Sequence, residues 1–448
     1  MKILFLEIDT ERTWALASVG PAFIASYIRM HGHEASMLRV GLEQEIDDII
    51  CGIKKESPDI IGFSITTRQW KRAAYVANKI RKKLDIPIIA GGLHPTFAPE
   101  SVLESAGFDF ICIGEGEEAV CDMLTYLEKN KDIQAIRQVG IPNIWMTGTE
   151  RPEIRPPYVS INNLPFIARD LLDEMHGIIH MSTMRGCPFP CTFCAGGAIN
   201  SLYGDRRYIR RRSVENVMKE LHNVRKRNSI NYVIFLDDTF TVNRSWVEEF
   251  CEIYGREIGT GFSINARAET VDLTLIDMLA QAGCSHIIYG IESGSKRVRK
   301  DILNRPGDNK QFVDVFRWTK EAGILATANY MIGIPGETAE DIEQTLALND
   351  VLSPDDFGYS VFYPYPGTNL FQICCEKGFM PENYLELPAN NRQSILNLPA
   401  ITKDDIDYYY KIFTDVREKN YLKRYGIALD DEQKALAKKN FKNSAAVG

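Results

Sequence analysis

The stretch Arg185-Gly186-Cys187-Pro188-Phe189-Pro190-Cys191-Thr192-Phe193-Cys194 puts three cysteines within eight residues at the spacing C-x3-C-x2-C. A strand-like run, Ile178 to Met184, leads into it. Three thiolates in one open loop suit a soft metal. Zinc would ordinarily take a fourth ligand, and the four-cysteine ferredoxin run is absent. A [4Fe–4S] cluster held by three cysteines leaves one iron free for another ligand. Zinc, or plain buried cysteines, are the rival readings.

Outward from this loop, strand and helix patterns alternate. Strands are expected over 178–184, 232–236, 261–266, 286–291, 325–332 and 358–363, with amphipathic helices between them. Six βα units predict a partial (β/α)6 TIM-like barrel over 171–370, with its site at the carboxyl strand ends. Polar residues gather there: Asp237 and Asp238, Asn265 and Arg267, Glu292, and the turn Gly333-Ile334-Pro335-Gly336-Glu337. Residues 371–448 read as a mainly helical cover, with helices over 401–416 and 430–439 and fraying from Asn443. Cys374, Cys375 and the Tyr408-Tyr409-Tyr410 run are read chiefly as packing.

Residues 1–150 also alternate strand and helix, with apolar strands that need cover on both faces. The fold class is therefore α/β: a Rossmann-like parallel sheet, then the barrel. A proline-rich connector spans 151–170. Ligand loops are expected at the carboxyl edge of the first sheet, over 9–18, 64–68 and 91–96. No G-x-G-x-x-G follows the first strand, which disfavours a dinucleotide.

The chain has 448 residues, and its 52 Lys and Arg against 60 Asp and Glu give a net charge of −8, which offers no broad nucleic-acid surface. The basic run from Arg206 to Arg212 is read as a solvated helix entry or an anion contact. No signal-peptide pattern and no apolar run of membrane-spanning length are read. Ten cysteines scattered apart from the triplet and Cys374-Cys375 argue against a disulfide framework. A reducing, anaerobic cytoplasm is the expected setting.

The C-x3-C-x2-C loop after a first barrel strand resembles the signature of the radical S-adenosylmethionine enzymes. The resemblance implies that Cys187, Cys191 and Cys194 ligate a [4Fe–4S] cluster whose open iron binds S-adenosylmethionine, and that Phe193 lies near cluster or adenine. It further implies that Asp237 and Asp238 reach the methionine amine, with Asn265 beside them. Arg267 would pair with the methionine carboxylate, Glu292 would accept from the ribose hydroxyls, and Gly333, Pro335 and Gly336 would pass backbone beside adenine.

Gly91-Gly92-Leu93-His94 and Gly114-Glu115-Gly116-Glu117 resemble the cobalamin-binding domain of one branch of that family. By that resemblance Gly91, Gly92, His94, Glu115 and Gly116 lie close to the corrinoid, and Ser64, Thr66 and Thr67 hydrogen-bond its tail. The cobalt-ligating D-x-H-x-x-G pattern is missing, so a base-off corrinoid without a histidine from this chain is expected. His31 and His33 are read as structural.

The implied activity is methyl transfer from methylcobalamin to an unactivated carbon of a peptide, protein or small molecule. A low-potential donor of flavodoxin or ferredoxin type would supply electrons. A non-methylating cyclase or rearrangement enzyme, and a corrinoid and iron–sulfur carrier, are the alternatives.

Overall fold

The computed structural model describes residues 1–10, 19–172, 174–204 and 208–425. The chain divides into two compact units. The first takes in Met1–Met175 and Ile199–Arg210; the second takes in His176–Ala198 and Arg211 onward.

The first unit is built on six strands: β1 (Lys2–Ile8), β2 (Glu34–Val40), β3 (Ile60–Ser64), β4 (Ile88–Gly91), β5 (Phe110–Cys112) and β6 (Ile144–Met146). Their order is β2-β1-β3-β4-β5-β6. The first five are parallel, and β6 joins β5 antiparallel. Ile3, Leu4, Phe5 and Leu6 on β1 are all buried, as are Ile60, Ile61 and Phe63 on β3. Such unbroken burial is what a sheet covered on both faces requires. Strand order reverses between β1 and β3, which marks the carboxyl edge there as the ligand crevice of an open α/β sheet.

Two features go beyond the sequence reading. The edge strand β6 has three residues, too few for a period-2 pattern to register. The irregular connector expected over 151–170 contributes to a core as well as linking. Ile161, Leu164 and Ala168 bury their side chains in the core of the first unit.

The second unit holds the strands Ile178–Met181, Tyr232–Phe235, Phe262–Ala266, Cys284–Glu292, Leu325–Ile332 and Asp356–Val361. Each pairs in parallel with the next in sequence, and the first and last strands are the two edges. This is the open, partial barrel expected. Its helices start where capping side chains stand ready. Ser213, Asn243, Asp272 and Thr338 each accept a hydrogen bond from a backbone N–H of the first helical turn.

On the strand Leu325–Ile332 the residues Ala326, Ala328, Tyr330 and Ile332 are buried, while Leu325 and Asn329 between them are exposed. That alternation sets one face against the helices and turns the other to the barrel interior. The long helix Lys403–Tyr425 docks Ile406 and Phe413 into the same core. The expected helix over 430–439 and the frayed end lie outside the described residues.

Candidate active site

The three-cysteine loop lies at the carboxyl end of the first barrel strand, and another segment stitches it in place. Thr192 donates its N–H to the Leu303 carbonyl at 3.1 Å and its hydroxyl to the Ile302 carbonyl at 2.7 Å. Asn304 Nδ2 donates to the Pro190 carbonyl at 3.1 Å. These partners belong to the π-helical turn Val298–Ile302 and the residues just after it. π-turns are rare and concentrate at functional sites.

Cys187 and Cys191 are buried and Cys194 is half-buried. Burial pushes the Cys187 thiol up and the Cys194 thiol up to about 12. Each sulfur nonetheless has a polar group against it. The Gly196 N–H reaches Cys194 Sγ at 3.4 Å, Thr239 Oγ1 lies 3.8 Å from Cys187 Sγ, and Arg267 Nη1 donates to Cys191 Sγ at 3.2 Å. Donors onto sulfur suit thiolates, so the residues present fit a thiolate-ligated cluster. Among the described residues no three His, Cys, Asp or Glu side chains converge to hold a single metal ion. Thiolates that each bind a different iron need no such convergence. Phe193 packs in the apolar cluster that includes Leu303, Ile334 and Leu370.

The strand-end residues separate into two groups. Asp237 is not free for a ligand. It accepts from the Thr183 N–H at 2.7 Å, the Met184 N–H at 3.1 Å and the Thr183 hydroxyl. Its partners shape the strand end that leads into the cysteine loop. Arg267, expected on a carboxylate of the ligand, is also engaged. It bonds Cys191 Sγ and Glu269 Oε1, the latter at 3.0 Å, and its guanidinium lies 4.0 Å over the Phe189 ring. Asn265 Nδ2 donates to the Asp237 carbonyl at 3.2 Å. Asp238 is open to solvent, yet surrounding protein and the Asp237 charge raise its carboxyl pKa.

Glu292 is different. A register shift interrupts the ladder between Gly290 and Glu292. The Ser293 N–H bonds back to the Ile291 carbonyl at 2.9 Å around a Glu292 φ of +69°. A three-residue turn with positive φ is strained for a residue with a Cβ, and such strain collects at functional sites. The bulge re-aims the side chain. Its carboxylate makes no hydrogen bond among the described residues. Burial raises its pKa, against the opposing charges of Arg305 and Arg267. A Cβ at Gly290 would meet Glu292 Oε1 at 2.5 Å, so glycine clears the space the carboxylate occupies.

The turn after the fifth barrel strand is closed by a side chain that the sequence reading used only for its backbone. Glu337 is buried, and its Oε2 accepts from the Gly333 N–H at 2.7 Å and the Ile334 N–H at 3.2 Å. Its Oε1 has no partner among the described residues. Gly333 and Gly336 take φ of +73° and +86° to complete the turn around Pro335. Desolvation raises the Glu337 pKa from 4.5 to about 8.

An acid whose pKa is raised on folding contributes stability fully present below its unfolded pKa and lost as pH rises through the folded one. Glu337→Gln is therefore expected to gain stability relative to the parent between about pH 4.5 and 8 and to hold that gain above, as read by urea unfolding across that range. A constant difference across the range would refute a buried carboxyl here.

In the first unit several residues named by the resemblance are engaged within the protein. His94 is fully buried, with Nδ1 3.3 Å from Thr67 Oγ1 and Nε2 3.0 Å from Ser101 Oγ, and its ring stacks on Trp70 at 4.6 Å. Both ring nitrogens are thus taken, and desolvation lowers its pKa to about 4. His94 is a core residue, and Thr67 is its partner. Thr66 gives its N–H and hydroxyl to Gln69 Oε1 at the start of the following helix.

Glu115 forms a two-pronged ion pair with Arg210 at 2.6 and 3.0 Å and accepts from the Tyr158 N–H. Gly92, at φ +98°, is required because a Cβ would lie 2.8 Å from the Ile65 backbone. A Cβ on Gly116 would meet Ile24 Cδ1 at 2.8 Å. Among the described residues of the carboxyl edge, the Ser64 hydroxyl has no hydrogen-bond partner and lies beside Gly20, while residues 11–18 of the first expected loop lie outside the described residues. Gly91 ends β4 next to Ser64.

His94→Ala is expected to cost about 3 kcal/mol of stability through the lost packing and hydrogen bonds. The visible spectrum of any bound corrinoid should be unchanged; a shifted cobalt band would contradict the assignment.

His31 and His33 bond Tyr27 O and Thr125 Oγ1, as structural residues do. In the basic run, Arg206 and Arg207 lie outside the described residues. Arg210 pairs with Glu115, Arg211 lies 4.0 Å over the Trp246 ring, and Arg212 pairs with Glu220 at 2.6 Å. Cys374 is buried in an apolar cluster, Tyr409 bonds Glu343, and Tyr408 is exposed.

The Radical SAM superfamily model matches residues 181–348, and the B12 binding domain model matches residues 15–124. An uncharacterized methyltransferase of Pyrococcus horikoshii is 28% identical over 99% of this chain and 95% of its own length. An anaerobic magnesium-protoporphyrin IX monomethyl ester cyclase of Rubrivivax gelatinosus is 26% identical over 84% of this chain and 70% of its own. The structure of OxsB, a cobalamin-dependent S-adenosylmethionine radical enzyme with aqua-cobalamin and S-adenosylmethionine bound, superposes with a TM-score of 0.73. It covers 100% of this chain and 71% of that one at 16% identity. A radical SAM domain implies a [4Fe–4S] cluster and S-adenosylmethionine, and a B12 binding domain implies cobalamin. The chain therefore joins a Radical SAM superfamily domain over residues 181–348 to a B12 binding domain over residues 15–124, in a fold shared with OxsB.

Proposed function

We propose that the chain is a methyltransferase that places a methyl group on an unactivated carbon of a peptide, protein or small molecule. The near-complete match to a methyltransferase-named relative supports this reading. So does one feature of the site: a strained, re-aimed Glu292 carboxylate with no hydrogen bond among the described residues, facing the charges of Arg305 and Arg267 beside Cys191.

Cys187, Cys191 and Cys194 would hold the cluster. Glu292 would accept from the ribose hydroxyls of S-adenosylmethionine, Asp238 would face its amine, and the Gly333-to-Glu337 turn would lie along adenine. Asp237 and Asn265 would act one step back, by fixing the strand ends. Ser64 with the backbone of Gly91 and Gly92 would meet the corrinoid. When bound, these cofactors supply the radical and the methyl group; the chain supplies placement and exclusion of water. A flavodoxin- or ferredoxin-type protein would deliver electrons in a reducing cytoplasm. Among the described residues no helix is long and apolar enough to cross a membrane.

The cyclase relative favours one second reading, a ring-forming enzyme of the same architecture. Product counting under anaerobic turnover separates the two. S-Adenosylhomocysteine formed together with a methylated product supports methyl transfer. 5′-Deoxyadenosine with no methylated product supports the second reading.

A further inference from the structure

The three cluster cysteines are not held alike. Cys187 has the Phe189 backbone and a neutral hydroxyl at 3.8 Å, and Cys194 a backbone N–H at 3.4 Å. Cys191 alone among them faces two guanidiniums, with Arg267 Nη1 at 3.2 Å and Arg305 Nη1 at 3.8 Å from its sulfur. Both arginines are buried, at 4% and 8% exposed. Neither can turn away. Arg267 is pinned by Glu269 and Phe189, and Arg305 by the Gly290 carbonyl through Nη2.

The Arg305 backbone is fixed as well, since its N–H bonds the Arg299 carbonyl at 2.8 Å across the π-turn. Arg299 is itself fully buried and donates to the Ser293 and Gly307 carbonyls. The turn that stitches the cysteine loop through Thr192 and Pro190 therefore also carries a cation to its middle cysteine.

We propose that Arg305, with Arg267, sets the reduction potential of the cluster through Cys191. The inference rests on the cluster reading above. Reduction adds negative charge to the cluster and its thiolates. Buried cations hydrogen-bonded to one thiolate stabilise the reduced state more than the oxidised one, and hydrogen bonds to the sulfurs are among the determinants of cluster potential. A cation held at one corner by a rigid turn makes the cluster easier to reduce by a given donor. Arg305 is a positioning residue in this account: it acts on the iron through Cys191.

The test is an EPR-monitored redox titration of the full-length, anaerobically reconstituted protein without S-adenosylmethionine. Arg305→Gln is expected to cut the ratio of reduced to oxidised cluster about tenfold at a fixed potential, a downward midpoint shift of about 59 mV for a one-electron couple. Thr239→Val, which removes only the hydroxyl contact to Cys187, should shift it less. Should Arg305→Gln not retain iron, Arg305→Lys is titrated instead. It keeps the charge but loses the fork that reaches Gly290 and Cys191 together, so a smaller fall is expected.

A fully loaded Arg305→Gln with the parent midpoint would overturn the proposal, as would an unshifted Arg305→Lys or a Thr239→Val shift as large as that of Arg305→Gln. Parent protein that binds no iron at the triplet would instead sink the cluster reading itself.

Discussion

Cys191→Ala is expected to lose the visible absorbance of the cluster, its bound iron and all cleavage of S-adenosylmethionine. Cys191 is the middle ligand of the loop, it is buried, and two guanidiniums converge on its sulfur. Alanine removes a thiolate and leaves both guanidiniums without their sulfur acceptor, so the variant loses a ligand and a pair of charge-assisted contacts. With two cysteines the loop offers too few thiolates for a stable cluster. Iron analysis and anaerobic assay for 5′-deoxyadenosine check this together. Parent levels of iron and cleavage in the variant would refute the ligand assignment.

Glu292→Gln carries the second large effect, and it acts differently. The variant should load its cluster like the parent, because no hydrogen bond links Glu292 to a cysteine among the described residues. Its affinity for S-adenosylmethionine should fall. Hydrogen bonds from ribose hydroxyls to a carboxylate are worth about 1.5–3 kcal/mol, or about 10- to 160-fold in Kd. The strained turn persists in the variant, since it is set by the bulge and by the Gly290 clearance and not by the charge. Equilibrium binding to reconstituted protein reads this directly. Unchanged affinity would move the ribose contact elsewhere.

The large features were legible in the sequence because they rest on local pattern. The C-x3-C-x2-C spacing is a ligand geometry written in adjacent residues, and the apolar strands of both units stand out by run length. The strand-end positions of the polar residues were legible too, since a βα repeat fixes which end of each strand they occupy.

What remained hidden depends on residues far apart in the chain. Glu115 has a motif-like setting, but its partner Arg210 lies 95 residues away. His94 follows two glycines that resemble a cofactor turn, yet Gly92 is needed to clear the Ile65 backbone and both nitrogens of His94 face its own unit. Arg305 sits in no motif, and only the π-turn from Val298 to Ile302 explains how it reaches Cys191. Asp237 and Asp238 are adjacent in sequence but face opposite ways along the strand end. One serves the loop and the other stays open, a split that period-2 alternation alone suggests and burial settles.

The measurement that bears most directly on the account is Mössbauer spectroscopy of the iron-57-reconstituted protein, recorded with and without S-adenosylmethionine. Three cysteine-ligated irons and one without a protein ligand predict that a single iron site changes its isomer shift when S-adenosylmethionine is added, while the rest stay put. A spectrum that does not respond, or a loop that takes up zinc in place of iron, would contradict it.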